Sequence, residues 1–432
     1  MAEGRVGGRV RWRPPRVLRG VLSIVGGSAA GQGLVILSYP FLTRLYDPAE
    51  FGLLAVFMAV VGMIGVVSAA ALEAAVPLPV DDAEAAAVAW AGLTAVAVTT
   101  VVTASAGVLL AEPLAGLLGV PRLADVWWLV CLSVLVLGCY LVASEWMIRE
   151  RSYGTLGRRN LLQGVGQAVT QIGLGLVGVR PIGLLLGFGV GRLLGIGGVT
   201  SRGGLLRRPP PRPAAILAAL RRYRRFPLLA APSGLLNSAG LEVPLLLVSA
   251  LYGDARAGFL GLTIRVIGAP ATVIGQAVHQ VFTGESGARI RDADGGLGAS
   301  VRSASLRLLA VGALPALTLV VTGPALFGLV FGPAWTEAGD YARLLAVAYL
   351  VQFAVTPVSS TLFLLEHQDR ELGWVAVRLL LTAGGPIVCG LTGAPIGTAI
   401  FALALGHVVS YGLLYLLCVR AADAADRSGR PG

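Results

Sequence analysis

Five residues in the second half of the chain could together hold a polar, charged ligand. Arg265, Thr272, Gln276, His279 and Gln280 are spaced i, i+7, i+11, i+14 and i+15, so on an α-helix they share one face. A guanidinium, two amides, a hydroxyl and an imidazole suit the binding of an anion better than the breaking of a bond. They stand in an apolar run, where a buried charge costs about 2.5–3.5 kcal/mol on insertion scales and needs a reason. Two readings stay open: the stripe faces a cleft between two halves, or it bonds neighbouring helices within its own half. Glu242 lies 252 − 242 = 10 residues from the end of the preceding apolar run, and Arg265 lies 265 − 257 = 8 residues into its own. At about 1.5 Å per residue both reach a depth of about 12–15 Å on adjacent helices, so the pair is expected to approach. Ser28, Gln32 and Tyr39 (i, i+4, i+11) and Ser233 and Asn237 (i, i+4) form shorter stripes on the helices that open each half. These either face each other across the cleft or pack as small polar residues. Arg44 stands at the mouth, where snorkelling to the interface is the alternative. Arg192, Arg378, Arg307 and Arg343 read as lipid or structural contacts, His407 as packed, and Glu145 as an intrahelical partner of Arg149. His279 is the better of the intramembrane histidines for coupling to protonation.

The elements that must carry these residues follow from composition. Of 432 residues, 56% are hydrophobic and 13% charged, against about a quarter charged in a soluble domain. The mean hydropathy is +0.79. Apolar runs of about 20 residues recur, enough to cross a hydrocarbon core of about 30 Å. The chain reads as an all-α polytopic membrane protein with spans at 20–43, 51–76, 85–110, 123–148, 160–179, 181–200, 226–252, 257–283, 302–331, 339–364, 372–391 and 395–419. The count of twelve is open by one pair. The net charge of +11 comes from arginines placed between hydrophobic spans, which argues against nucleic acid as a partner. Cys131, Cys139, Cys389 and Cys418 all fall inside apolar runs without metal-ligand spacing, so neither a metal nor a cofactor is expected. The first apolar run ends in Thr43-Arg44 and lacks a small-residue cleavage site, so no signal peptide is expected.

Arginine placement sets an expected orientation. The basic tail 1–19, with Arg5, Arg9, Arg11, Arg13, Arg16 and Arg19, falls on one side. So do Arg149, Arg151, Arg158 and Arg159, the Pro/Arg-rich linker 201–222 with Arg202, Arg207, Arg208 and Arg212, and the tail 420–432 with Arg430. The opposite side has Arg44, Arg122, Arg180 and Arg256. Both termini are therefore expected in the cytoplasm. A first lobe (20–200) and a second (223–419) of six helices each have even parity, so they are parallel, pseudo-symmetric repeats with a central cleft. A duplicated turn supports this. Leu45-Tyr46-Asp47-Pro48-Ala49-Glu50-Phe51-Gly52-Leu53-Leu54 aligns with Leu251-Tyr252-Gly253-Asp254-Ala255-Arg256-Ala257-Gly258-Phe259-Leu260 at an offset of 251 − 45 = 206.

From Gly27 to Pro79 the sequence contains Gly-x-x-x-Gly-Gln-Gly, then Tyr-Pro-Phe-Leu-Thr-Arg-Leu-Tyr-Asp-Pro-Ala-Glu-Phe-Gly, then Glu73-Ala74-Ala75-Val76-Pro77-Leu78-Pro79. Tyr223-Arg224-Arg225-Phe226-Pro227 opens the seventh span, and Gly332-Pro333-Ala334-Trp335-Thr336-Glu337-Ala338-Gly339 precedes the tenth. With these motifs the chain resembles the O-antigen or Wzx-type polysaccharide flippases of the multidrug/oligosaccharidyl-lipid/polysaccharide exporter superfamily. One departure concerns the second span: family members often carry an Arg two residues before its acidic residue, and here Ala71 precedes Glu73.

The resemblance implies a multi-pass protein of the bacterial cytoplasmic membrane that is not an enzyme. It would move a polyprenyl-pyrophosphate-linked oligosaccharide between leaflets by alternating access, with membrane lipids and a polysaccharide polymerase or other assembly proteins as partners. For such a cargo the Glu242–Arg265 pair either opens to give Arg265 to the pyrophosphate or is purely structural, neutralising a buried cost. An ion-coupled drug antiporter of the same superfamily is the alternative, and it would want acidic residues deep in the first lobe. A membrane polymerase or glycosyltransferase would want a large extracytoplasmic loop. The sequence offers neither.

Overall fold

The computed structural model describes residues 16–200, 205, 210–292 and 295–428. Arg5, Arg9, Arg11, Arg13, Arg202, Arg207, Arg208 and Arg430 lie outside the described residues. Twelve helices, none shorter than 19 residues, carry the fold: α1 (Arg16–Leu45), α2 (Pro48–Ser68), α3 (Asp82–Leu117), α4 (Trp127–Arg149), α5 (Tyr153–Leu176), α6 (Ile182–Thr200), α7 (Ala231–Tyr252), α8 (Asp254–Asp292), α9 (Leu297–Phe331), α10 (Thr336–Val355), α11 (Gln368–Leu391) and α12 (Ile396–Ser428). No strand occurs among the described residues. Among them, nine helices are long and apolar enough to cross a membrane.

Local chemistry explains where the helices depart from the expected spans. The second span breaks early because Ala70 and Ala71 adopt left-handed backbone, leaving a short 3-10 turn at Leu72–Ala75. The seventh is preceded by a π-turn, Phe226–Ala230, around Pro227. The tenth ends at Val355, where Pro357 removes a backbone donor and Thr356–Ser359 tightens to 3-10 geometry. The fifth starts seven residues earlier than expected, at Tyr153 rather than 160, and takes Arg158 and Arg159 into the helix. The linker contains an amphipathic helix, Pro213–Arg222, lying on α3. There Arg222 Nη1 stands 2.9 Å from Glu84 Oε1, and the Tyr223 hydroxyl donates to the same oxygen at 3.3 Å.

The duplicated turns meet each other. Asp47 caps α2 with a reciprocal box: its carboxylate accepts from Glu50 N at 2.8 Å, and its own N–H donates to Glu50 Oε2 at 2.9 Å. Gly52 of α2 then lies against the Asp254 carbonyl of α8, and Gly258 of α8 lies against the Pro48 carbonyl of α2. The offset maps one contact onto the other, since 52 + 206 = 258 and 48 + 206 = 254. The repeat thus builds a pseudo-two-fold crossing of the two halves in which neither glycine has room for a β-carbon.

Around this crossing the turn end of the bundle is closed. Trp335 is 1% exposed and packs edge-on against Phe51 (4.8 Å between ring centroids) and Phe259 (5.7 Å). Its indole N–H donates to the Thr43 carbonyl at 3.1 Å. Arg44 Nη1 donates to the Val330 carbonyl at 3.1 Å, and Ser249 Oγ donates to the Leu118 carbonyl at 2.7 Å. All three bonds join the first half to the second. Toward the other end α8 loses cover, and Thr272, Gln276 and Gln280 are exposed. Val108, Leu329 and Leu391 are 87%, 79% and 79% exposed on the rim. Lipid would cover such a surface, and small-residue packing between helices replaces the hydrophobic drive available in water.

Candidate functional site

Arg265 is positioned by the glycine crossing. It lies two helical turns below Gly258 on the same face of α8, so the close approach at Gly258 presses it toward α2. Its Nη2 stands 3.0 Å from Met58 Sδ, and its Nη1 is buried without a hydrogen-bond partner. Two cavities open on either side of it. One of about 310 Å³ lies in the first half, walled by α1, α5 and α6. The other, of about 940 Å³, lies in the second half, walled by α7, α8, α10 and α12. Arg265, Gln32, Met58 and Ala269 line both.

The smaller cavity contains Ser28 and Gln32 from α1, as well as residues that periodicity alone did not single out. Asn160, Gln163 and Gln167 project from α5 at i, i+3 and i+7, a helical spacing that was there to be read. Asn160 Nδ2 donates to Ser28 Oγ at 2.7 Å, and the Tyr140 hydroxyl donates to Gln163 Oε1 at 2.6 Å. Close glycine packing makes this possible: Gly31 of α1 sits against the backbone of α5 at Asn160 and Gly164. Arg192 of α6 completes the wall. Its guanidinium stacks over Phe188 at 3.6 Å, Nη1 donates to the Phe188 carbonyl at 3.1 Å, and Nε has no partner. Among the described residues two guanidiniums and no carboxylate line this cavity.

Glu242, Thr272, Gln276 and His279 all line the larger cavity. Glu242 and Arg265 share its wall, but among the described residues no ion pair joins them. His279 Nδ1 lies 3.3 Å from the Pro357 carbonyl. His407 both packs and reaches the wall, with its ring stacked on Tyr349 and Tyr411.

Other expected residues are placed elsewhere. Gln280 is exposed and lines neither cavity. Arg44 is spent at the turn end on the carbonyls of Pro40 and Val330. Asn237 accepts from Arg378 Nη2 through Oδ1 at 3.0 Å and through its carbonyl at 2.9 Å, joining α7 to α11. Arg149 pairs with Asp82 at 2.9 Å rather than with Glu145, because the α3 start is folded against the end of α4. Among the described residues no group of three or more His, Cys, Asp or Glu could hold a metal ion.

Glu73, in the 3-10 turn after α2, has one carboxylate oxygen buried without a partner, and burial pushes its pKa up. A raised folded-state value means that its contribution to stability is present at low pH and lost as the pH rises through that value. Glu73→Gln is therefore expected to raise the Tm in detergent at pH 8 by the equivalent of about 1 kcal/mol. The gain should vanish below about pH 4, where the unfolded carboxyl is also protonated. A scan of thermal unfolding against pH for both proteins checks this.

The sequence profile of a family described as polysaccharide biosynthesis protein matches residues 41–340, well over half of the chain. The succinoglycan biosynthesis transport protein ExoT of Rhizobium meliloti (strain 1021) is 26% identical over 407 residues, covering 89% of this chain and 76% of its own. Among solved structures, the lipid II flippase MurJ in its inward closed conformation superposes with a TM-score of 0.73 at 11% identity, over 95% of this chain and 90% of that one. An inward-facing multidrug resistance MATE-family transporter of the MOP superfamily gives 0.67 at 15% identity, over 95% and 99%. At these identities the structures speak for the fold: two helical lobes of the transporter type.

Proposed function

The chain belongs to the polysaccharide biosynthesis protein family, and from that membership we propose that it is a flippase for polyprenyl-pyrophosphate-linked oligosaccharides in the bacterial cytoplasmic membrane. The lobes, residues 20–200 and 223–419, alternate about the glycine crossing, and the basic linker 201–222 joins them on the cytoplasmic side with both termini. The sealed turn end faces outward, so the cavities on both sides of Arg265 receive cargo from the inner leaflet.

The observation that carries this reading is a guanidinium with an unpartnered buried nitrogen where two cavities meet. An unlined passage through hydrocarbon would cost a charged sugar headgroup far too much. Arg265 and Arg192 offer the pyrophosphate forked donors, while the lipid tail stays in the bilayer. The protein supplies a path for the headgroup. An antiporter of cationic drugs would invert the charge, but here the two cavity walls carry two arginines against one carboxylate, Glu242.

The test is reconstitution. In liposomes holding the purified protein, a fluorescent polyprenyl-pyrophosphate oligosaccharide should become accessible to an impermeant quencher beyond the half already on the outer face. Cells depleted of the protein should accumulate the lipid-linked sugar on the inner leaflet. Proton-driven efflux of dyes with no movement of the glycolipid would overturn the assignment.

A further inference from the structure

The two cavities differ in chemistry. Among the described residues the smaller one has two guanidiniums, Arg192 and Arg265, and no carboxylate, whereas the larger one shares Arg265 and adds aromatic rings, amides and a carboxylate. We infer that the larger cavity holds a pyranose-binding subsite, in which Tyr349 presents its ring face to a sugar while Glu242, Gln352 and the edge of His407 bind its hydroxyls, and which admits neutral sugars in preference to uronic acids. The inference rests on the flippase reading and deepens it by dividing the cargo: phosphate toward Arg192 and Arg265, sugar toward α10 and α12.

The rings are held as a stack. His407 lies nearly parallel to Tyr349 (centroids 6.2 Å apart, 20°) and to Tyr411 (6.0 Å, 14°). Tyr411 is 3% exposed and meets Trp374 edge-on at 5.4 Å, and the Trp374 indole donates to the Ser410 carbonyl at 2.7 Å. The column is thus anchored in the interior of the second half, and Tyr349 and His407 are the members that reach the cavity wall. Rings fixed in this way lose little conformational entropy on meeting a ligand. The C–H face of a pyranose is the apolar surface that a ring face accommodates.

A sugar also needs partners in the plane of its hydroxyls. Glu242 and Gln352 line the same cavity, and among the described residues the side chain of neither makes a hydrogen bond or ion pair with the protein. A carboxylate and a carboxamide each offer two neighbouring polar atoms, the match for a pair of vicinal hydroxyls. With His407 Nδ1–H directed at the Leu403 carbonyl, 3.3 Å away, Nε2 is left as a further acceptor. Polar groups left unpaired against a purely apolar ligand would be costly, which argues for a hydroxylated one. With Arg265 of the same wall engaged by the pyrophosphate, the Glu242 carboxylate repels a second carboxylate, and this is the basis for selection against uronic acids. The volume of about 940 Å³ falls in the upper part of the range of ordinary ligand clefts.

The experiment measures binding in nanodiscs to three probes: undecaprenyl pyrophosphate alone, the same lipid carrying a glucose tetrasaccharide, and the same tetrasaccharide ending in glucuronic acid. Wild type should bind the neutral glycolipid more tightly than the bare carrier. Tyr349→Leu should remove that gain, about tenfold or more, while leaving the bare carrier unchanged. Tyr349→Phe keeps the ring and should keep the gain. Glu242→Gln should raise affinity for the glucuronic acid lipid relative to the neutral one. Equal wild-type affinity with and without sugar would overturn the subsite, as would parallel losses for all three probes in both Tyr349 variants. If wild type binds none of the three, the flippase assignment falls and the subsite falls with it.

Discussion

Gly258→Val is expected to abolish transport while the protein still folds and inserts. Its side chain would have to occupy the space held by the Pro48 carbonyl and the Gly52 backbone of α2. Backbone cannot give way as the tip of a long side chain can, so α2 and α8 must part at the turn end. The seal above Arg265 would open with them, including Trp335 against Phe51 and its bond to Thr43. The valine costs only the closed arrangement, so the expected product is a protein held open on the outer side. A cysteine at Met58, in a background lacking the four native cysteines, reports the change. In wild type an impermeant maleimide should reach it from the cytoplasmic side, and in Gly258→Val from the outside. The symmetry-related Gly52→Val should behave alike, because its β-carbon would meet the Asp254 carbonyl. Normal export with labelling still confined to the cytoplasmic side would show that the crossing is not a gate.

The glycine pair also shows how far the sequence could be read. The duplication was legible as a 206-residue offset, and the polar face of α8 was legible from its spacing. Periodicity names the face of a helix, but it does not name the neighbour that the face meets. That the two copies of the turn touch each other is a tertiary fact, and so is the pressing of Arg265 toward Met58. Asn237 illustrates the limit. Its i+4 spacing from Ser233 suggested the cleft, yet Gly240 leaves a space one turn on, which the Arg378 guanidinium fills, and Asn237 accepts from it there. The stripe on α5 was missed for the same reason. All three amides fall inside the expected span 160–179, but the sequence does not say which neighbouring helix their face meets. The structure continues the helix through Arg158 and Arg159, burying Arg159 over the Tyr140 ring at 4.0 Å, and the amides become a wall.

Arg265→Ala is expected to cost transport about 30-fold or more, since removing one partner of a desolvated charged contact loses roughly 2–5 kcal/mol. Arg265→Lys should recover only part of this, because an ammonium cannot supply the forked pair of donors that a phosphate takes from a guanidinium. Arg44→Ala is the contrast: an exposed arginine that donates to two carbonyls at the turn end should affect transport by less than threefold. The rival account makes Arg265 a neutraliser of Glu242, two charges that lower each other's cost across the cavity without touching cargo. The double variant Arg265→Ala/Glu242→Ala separates the two. If neutralisation is the role, removing both charges should restore transport, because the defect of the single variant is then the abandoned carboxylate. If Arg265 binds pyrophosphate, the double variant should stay at least as impaired as the single one. The unpartnered Nη1 favours the second outcome: an arginine whose task was to pair with Glu242 would be expected to pair with it, and among the described residues it does not.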